Sequence, residues 1–155
     1  MHLFVVRHGH SPFTAATDHQ RPLSDLGQAQ ARQAGQFIQG RTLQPPLIVC
    51  SNATRTRQTA AAIGEVLGSE QIHAHPHLYH AMVGDWCDVI AEQAQQAALV
   101  LVGHNPTMTQ LAQYLNPLHQ TPFSPACVAH LALEIAADGL KLPARPHDFF
   151  KPDAQ

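Results

Sequence analysis

The sequence predicts an α/β protein built on a buried parallel sheet. Three observations carry that prediction. Short runs at residues 4–6, 47–50 and 98–102 are continuously apolar rather than alternating, as strands covered on both faces are. Segments of helical period lie between them. Each run also stops abruptly at a polar loop that holds an arginine or a histidine. In open α/β sheets ligands sit just outside such strand ends.

The first run ends in Phe4-Val5-Val6-Arg7-His8-Gly9. Arg7 offers a fixed fork of donors for a phosphate or carboxylate. His8 offers a nitrogen that is neutral near physiological pH and can act as base, ligand or nucleophile. Gly9 lacks the Cβ that would hold a ligand off the backbone. After a polar loop, Ser24 is a good N-cap for a helix running to about residue 38. Gly27, Ala31, Ala34 and Ile38 form its small-residue stripe, and Gly40 ends it.

Gln44-Pro45-Pro46 makes a turn into the second strand, 47–51. A helix over 54–67 follows, with Ala60, Ile63 and Leu67 as its apolar stripe and Gly68 as its stop. Arg55 lies in the first turn of that helix, where a cation gains nothing from the helix dipole. An anion held between the guanidinium and the helix terminus accounts for it, whereas Arg57 reads as solvated. Residues 71–79 are strand-like. His73, His75 and His77 alternate there, with His80 beyond them. They fit either the wet face of an edge strand or a metal site. A helix over 85–97, including Trp86, comes next.

The run at 98–102 ends in Gly103-His104-Asn105-Pro106. Asn105 suits an N-cap and Pro106 the first helical position, with Met108, Leu111, Ala112 and Leu115 facing the core. His104 therefore sits between a strand end and a helix start. A Pro-rich loop, 117–125, leads to a strand over 127–134. Residues 139–142 suit a short edge strand, and 143–155 read as an irregular tail.

The 155 residues suit one domain, and neither repeats nor a second domain are visible. The net charge of −2 offers no footprint for nucleic acid or an anionic membrane. No run is long enough to span a bilayer, and the start lacks a signal-peptide pattern. Cys50, Cys87 and Cys127, odd in number and far apart, suit reduced thiols in a cytoplasmic setting.

Arg7, His8, Arg55 and His104 thus converge from three strand ends. Two guanidiniums and two imidazoles suit a phosphoryl dianion. There is no Walker loop, Asp-rich magnesium motif or GxGxxG. The chemistry expected is covalent and needs no metal or cofactor: His8 attacks phosphorus, and water hydrolyses the phosphohistidine. The neighbouring cations should keep His8 neutral.

These residues resemble the histidine phosphatase superfamily, the phosphoglycerate-mutase-like fold. Arg7-His8-Gly9, Gly103-His104-Asn105-Pro106 and Arg55-Thr56-Arg57-Gln58-Thr59-Ala60 carry the resemblance, the last against the family's Arg-Ala-x-Gln-Thr-Ala. Arg21-Pro22-Leu23-Ser24 is similar to its Arg-Pro-Leu-Thr. The resemblance covers nearly the whole chain and implies three layers, a mostly parallel sheet flanked by helices. It implies His8 as the phosphorylated nucleophile, Arg7, Arg55 and His104 on the phosphate, and Gly9, Arg21 and Thr14 near the substrate. Thr14 stands where many relatives have asparagine. The short segment between Gly68 and the strand before His104 leaves little room for a lid. That is similar to small SixA-type phosphohistidine phosphatases, whose substrates are histidine phosphotransfer proteins.

Larger relatives carry a glutamate general acid near the position of His80, where this chain reads Leu78-Tyr79-His80. An alkoxide leaving group needs such an acid, and a labile P–N bond needs it less. Asp18, His80 and Asp85 remain as candidate acids. His10 and His19 belong either to the site or to its rim. A small-molecule phosphatase of the same fold and a non-catalytic phosphate-binding module are the alternatives.

Overall fold

The computed structural model describes residues 1–153. Strand β1 (His2–Arg7) leads to helix α1 (Asp25–Gln39), β2 (Leu47–Ser51) and α2 (Thr54–Leu67). Then come β3 (Ile72–His75), a 3₁₀ turn (Pro76–Leu78), α3 (Val83–Glu92), β4 (Ala98–Gly103) and α4 (Thr107–Leu115). The chain closes with β5 (Val128–Ala136) and β6 (Gly139–Phe150). The sheet order is β3-β2-β4-β1-β5-β6. The first four strands of that order run parallel, and β5 and β6 add antiparallel partners.

The continuous apolar runs occupy the middle of this sheet because both faces are covered. Phe4, Val6, Ile48, Cys50, Val100 and Val102 pack on Ala34, Ile38, Ala60 and Ile63 of α1 and α2. Leu3, Val5, Val49, Leu99 and Leu101 face Trp86, Ile90, Met108, Leu111 and Leu115 of α3 and α4. Period-two strands sort their residues between two helical layers, giving the expected three-layer architecture. Among the described residues, no helix is long and apolar enough to cross a membrane.

Helix boundaries follow local chemistry. Ser24 caps α1 by accepting the Gly27 amide at 3.0 Å. Gly68 closes α2 with φ of 68°, a conformation that favours glycine. α3 begins at Val83, ahead of the expected 85, because the Asp85 carboxylate accepts the Met82 amide at 2.8 Å. It also stops at Glu92, short of the expected 97. α4 starts at Thr107, while Asn105 still reaches in to accept the Thr109 amide.

Two sequence expectations need correction. The strand expected over 71–79 ends at His75, since Pro76 has no amide for the ladder and opens the 3₁₀ turn. The irregular tail expected from 143 onward is instead strand to Phe150, paired along β5. Pro143 and Pro146 are tolerated because β6 is an edge strand, with one side free of ladder bonds. Residues 154 and 155 of that expected tail lie outside the described residues.

Candidate active site

Three neighbouring parallel strands, β2, β4 and β1, deliver their C-terminal ends to one place. His8 follows β1, His104 follows β4, and Arg55 stands one residue into α2 after β2. The four residues singled out from sequence are therefore brought together. The His8 and His104 rings lie edge to face with centroids 5.4 Å apart.

His8 is 8 % exposed. Its Nδ1 lies 2.7 Å from the Gly9 carbonyl, which can only accept, so the proton is on Nδ1. Nε2 is left with its lone pair, the form a nucleophile requires. Burial pushes the His8 pKa down to about 4, partly opposed by the Gly9 carbonyl and reinforced by Arg55, Arg7 and Arg21. His104 is pushed down to about 3, again by burial first, then by His8 and Arg55. Both imidazoles are thus neutral at physiological pH.

Arg7 donates through Nη1 to the Phe123 carbonyl at 2.8 Å, and the Asn105 amide donates to the same oxygen at 2.8 Å. The Pro-rich loop therefore orients both Arg7 and the turn after β4. Arg55 is 6 % exposed and donates to the Asp18 carbonyl at 2.7 Å and to its carboxylate at 3.0 Å. Even so, Arg7 Nε, Arg55 Nε and His104 Nδ1 are buried without any hydrogen-bond partner. Only one other buried side-chain nitrogen or oxygen among the described residues shares that condition. Unpaired buried nitrogens are costly, and these three all belong to residues gathered at the same strand ends.

The remaining sequence candidates are placed as follows. Gly9 follows His8 directly and packs against α1. A Cβ there would stand 2.6 Å from the Gly27 carbonyl, so glycine lets α1 approach closely. Arg21 is not free for substrate. Its three nitrogens hold the loop, binding the Pro12 and Ser11 carbonyls and the Asp18 carboxylate, while Phe13 stacks on the guanidinium. Thr14 is exposed on that loop.

Asp18 does reach the crevice, but as a carboxylate. The Tyr79 hydroxyl, Arg21 and Arg55 hold it well below the usual carboxylate range, which favours the ionised form over that of a general acid. Asp85 is likewise a helix cap, remote in role from the crevice. His80 lines a cleft of about 350 Å³ together with Asp18, Arg55, Tyr79, His104 and Thr107. His10 bonds the Ser24 hydroxyl, and His19 packs edge-on against Tyr79. Arg57 is exposed, as expected.

Sequence reasoning missed Ser51, Thr56, Thr59 and Tyr79. The Ser51 hydroxyl sits 2.7 Å from His104 Nε2 and 2.7 Å from the Thr56 hydroxyl. If Ser51 donates to Nε2, the His104 proton lies on Nδ1, the unpartnered atom. Thr59 accepts the Gly9 amide at 3.1 Å and fixes the loop beside His8. The signal was present in the Thr56 and Thr59 of the α2 motif, but no spacing rule pairs Ser51 with His104.

A family model described as histidine phosphatase superfamily (branch 1) matches residues 3–99. An uncharacterized chloroplastic protein of Arabidopsis thaliana is 31 % identical over 127 residues, which are 74 % of this chain and 58 % of that protein. The phosphohistidine phosphatase SixA of Escherichia coli is 24 % identical over 145 residues, covering 90 % of this chain and 89 % of SixA. A solved structure from Nakamurella multipartitia, assigned as a phosphohistidine phosphatase SixA, superposes with a TM-score of 0.82 at 28 % identity. It covers 99 % of this chain and 96 % of that one. With more than half its length matched to that model, this chain belongs to the histidine phosphatase superfamily, branch 1.

Proposed function

We propose that the protein is a phosphatase working through a phosphohistidine at His8, and that it removes phosphate from the phosphohistidine of a signalling phosphotransfer protein. The observation that carries this reading is the convergence of Arg7, His8, Arg55 and His104 at three neighbouring strand ends, with the Nε2 lone pair of a neutral His8 free. His8 Nε2 attacks phosphorus while the substrate's P–N bond breaks, and the departing imidazole keeps or gains a proton. The arginines and His104 hold the equatorial oxygens as charge spreads over them. Water then attacks the phosphorus on His8 and releases inorganic phosphate.

The choice of a P–N substrate rests on the leaving-group side. Asp18 lines the cleft as an ionised carboxylate and has no proton to give an alkoxide. A protonated imidazole beside that carboxylate is favoured instead. Relatedness to SixA of Escherichia coli supports the same substrate class. The second reading, a small-molecule phosphomonoester phosphatase, is favoured by His80, an imidazole on the cleft wall able to protonate an alkoxide.

The test is incubation with a phosphotransfer domain carrying labelled phosphohistidine, beside His8→Ala. Phosphate release by the wild type, with an acid-labile phosphoenzyme missing from the variant, is the expected result. Turnover that survives the loss of His8 discards the covalent route. Faster turnover of alkyl phosphomonoesters than of phosphohistidine discards the P–N substrate.

A further inference from the structure

At the end of the sheet away from the cleft, β1, β5 and β6 bring three histidines together. We propose that His2, His130 and His147 bind a divalent transition-metal cation, with Zn²⁺ the best match to their donors. Nδ1 of His2 lies 3.0 Å from Nε2 of His130. One ring nitrogen from each of the three residues lies within 4.8 Å of the others. A tetrahedral Zn²⁺ with Zn–N bonds of about 2.0 Å needs nitrogens roughly 3.3 Å apart. The exposed side chains of His2 and His147 need to move little to meet that spacing.

The backbone is arranged to make the cluster. His130 pairs with Asp148 and Leu131 with Pro146, so His147 is the extra residue of a bulge. In a regular ladder His147 would point to the face opposite its neighbour Asp148 and away from His130. The bulge turns it back, and its ring stacks on His130 with centroids 4.6 Å apart. Phe4 stacks on His130 at 4.3 Å and fixes the buried ring.

The donor chemistry agrees. His130 is pushed down to about 4 and His2 is lowered, by burial first and then by neighbouring histidines, so their lone pairs are available at neutral pH. Arg41, Arg145 and the amino terminus supply positive charge nearby, and Asp148 supplies negative charge. Three imidazoles without thiolate or carboxylate suit Zn²⁺ or Cu²⁺ rather than Mg²⁺ or Ca²⁺. The fourth position would face solvent and take water or an anion. Bound metal would tie the edge strand β6 to β1 through β5. This proposal stands apart from the phosphatase reading, because none of the three residues lines the cleft.

The test uses tag-free, chelator-stripped full-length protein titrated with Co²⁺ and then Zn²⁺. Wild type is expected to bind one equivalent and show the strong visible bands of four-coordinate Co²⁺, displaced by Zn²⁺. His147→Gln and His2→Gln, both at exposed positions, should each weaken binding at least about tenfold, as loss of a ligand does. His75→Gln with His77→Gln should leave it unchanged. Zn²⁺ should raise the thermal midpoint of wild type and not of His147→Gln. A wild type without those bands, or bands that persist at full affinity in His147→Gln, overturns the site. In that case the His2–His130 contact is an N–H···N hydrogen bond and nothing more.

Discussion

Ser51 Oγ lies 2.7 Å from His104 Nε2, and the pair is held from behind by the Thr56 hydroxyl. A buried hydroxyl thereby sets which nitrogen of His104 carries the proton, and so whether Nδ1 presents a hydrogen to the crevice. Thr56 can donate to the Ser51 carbonyl at 2.9 Å or to the Ser51 hydroxyl, so one proton position decides the next. Anion binding would favour the arrangement in which Nδ1 donates.

Ser51→Ala should therefore cost activity without touching substrate. Nε2 of His104 loses its partner, and a buried unsatisfied group costs about 1–3 kcal/mol. We expect kcat/KM to fall by about tenfold to a hundredfold, with Ser51→Thr retaining more activity than Ser51→Ala. Equal activity in both variants would show that the hydroxyl does not orient His104.

His8→Gln should lower kcat/KM by at least about a thousandfold while leaving the fold intact, since it removes the nucleophile. Acid-quenched wild type incubated with labelled substrate should retain label, and the variant should not. Label on the variant would place the nucleophile elsewhere.

Stability should fall as pH drops through the histidine range. His8 binds its proton near pH 4 when folded and near 6.5 when unfolded, and His104 near 3 when folded. Between those values the unfolded chain holds more protons, so acid favours unfolding. The stabilisation is complete above pH 6.5 and is lost as pH falls toward 4, by on the order of 3 kcal/mol for His8. Urea unfolding at pH 7.5 and pH 5 measures the loss. His8→Gln should show a shallower pH dependence than wild type.

Asp18→Asn should tighten binding of inorganic phosphate. Asp18 engages Arg55 through both its carbonyl and its carboxylate, so an incoming anion meets a fixed negative charge. Removing that charge should lower the inhibition constant of phosphate by about threefold to tenfold, most clearly at low salt. The same change should shrink the preference for phosphohistidine over alkyl phosphates. An unchanged preference would remove Asp18 from the account of the leaving group.

Gly27→Ala should destabilise the protein despite alanine's better helix propensity. A Cβ at Gly27 would lie 2.1 Å from the His10 carbonyl, a backbone atom that cannot swing aside. Propensity returns about 1 kcal/mol, and overpacking costs about 1–3 kcal/mol. Chemical denaturation of the variant gives the sign directly.

The sequence by itself determined the central parallel strands, the helices between them and the placing of Arg7, His8, Arg55 and His104 at strand ends. Continuous apolar runs report burial on both faces. Arg7, His8, Arg55 and His104 are legible because each stands at the end of such a run or just past it. The active-site partners that only the tertiary structure decided, Ser51 with His104, Asp18 with Arg55 and Tyr79 with Asp18, join segments with no shared period. Tertiary structure also decided that Gly9 makes room for α1, that Arg21 holds its own loop, and that residues 143–150 complete the sheet. Local pattern records how each segment meets the core, whereas hydrogen bonds between segments depend on where the fold sets their ends in space.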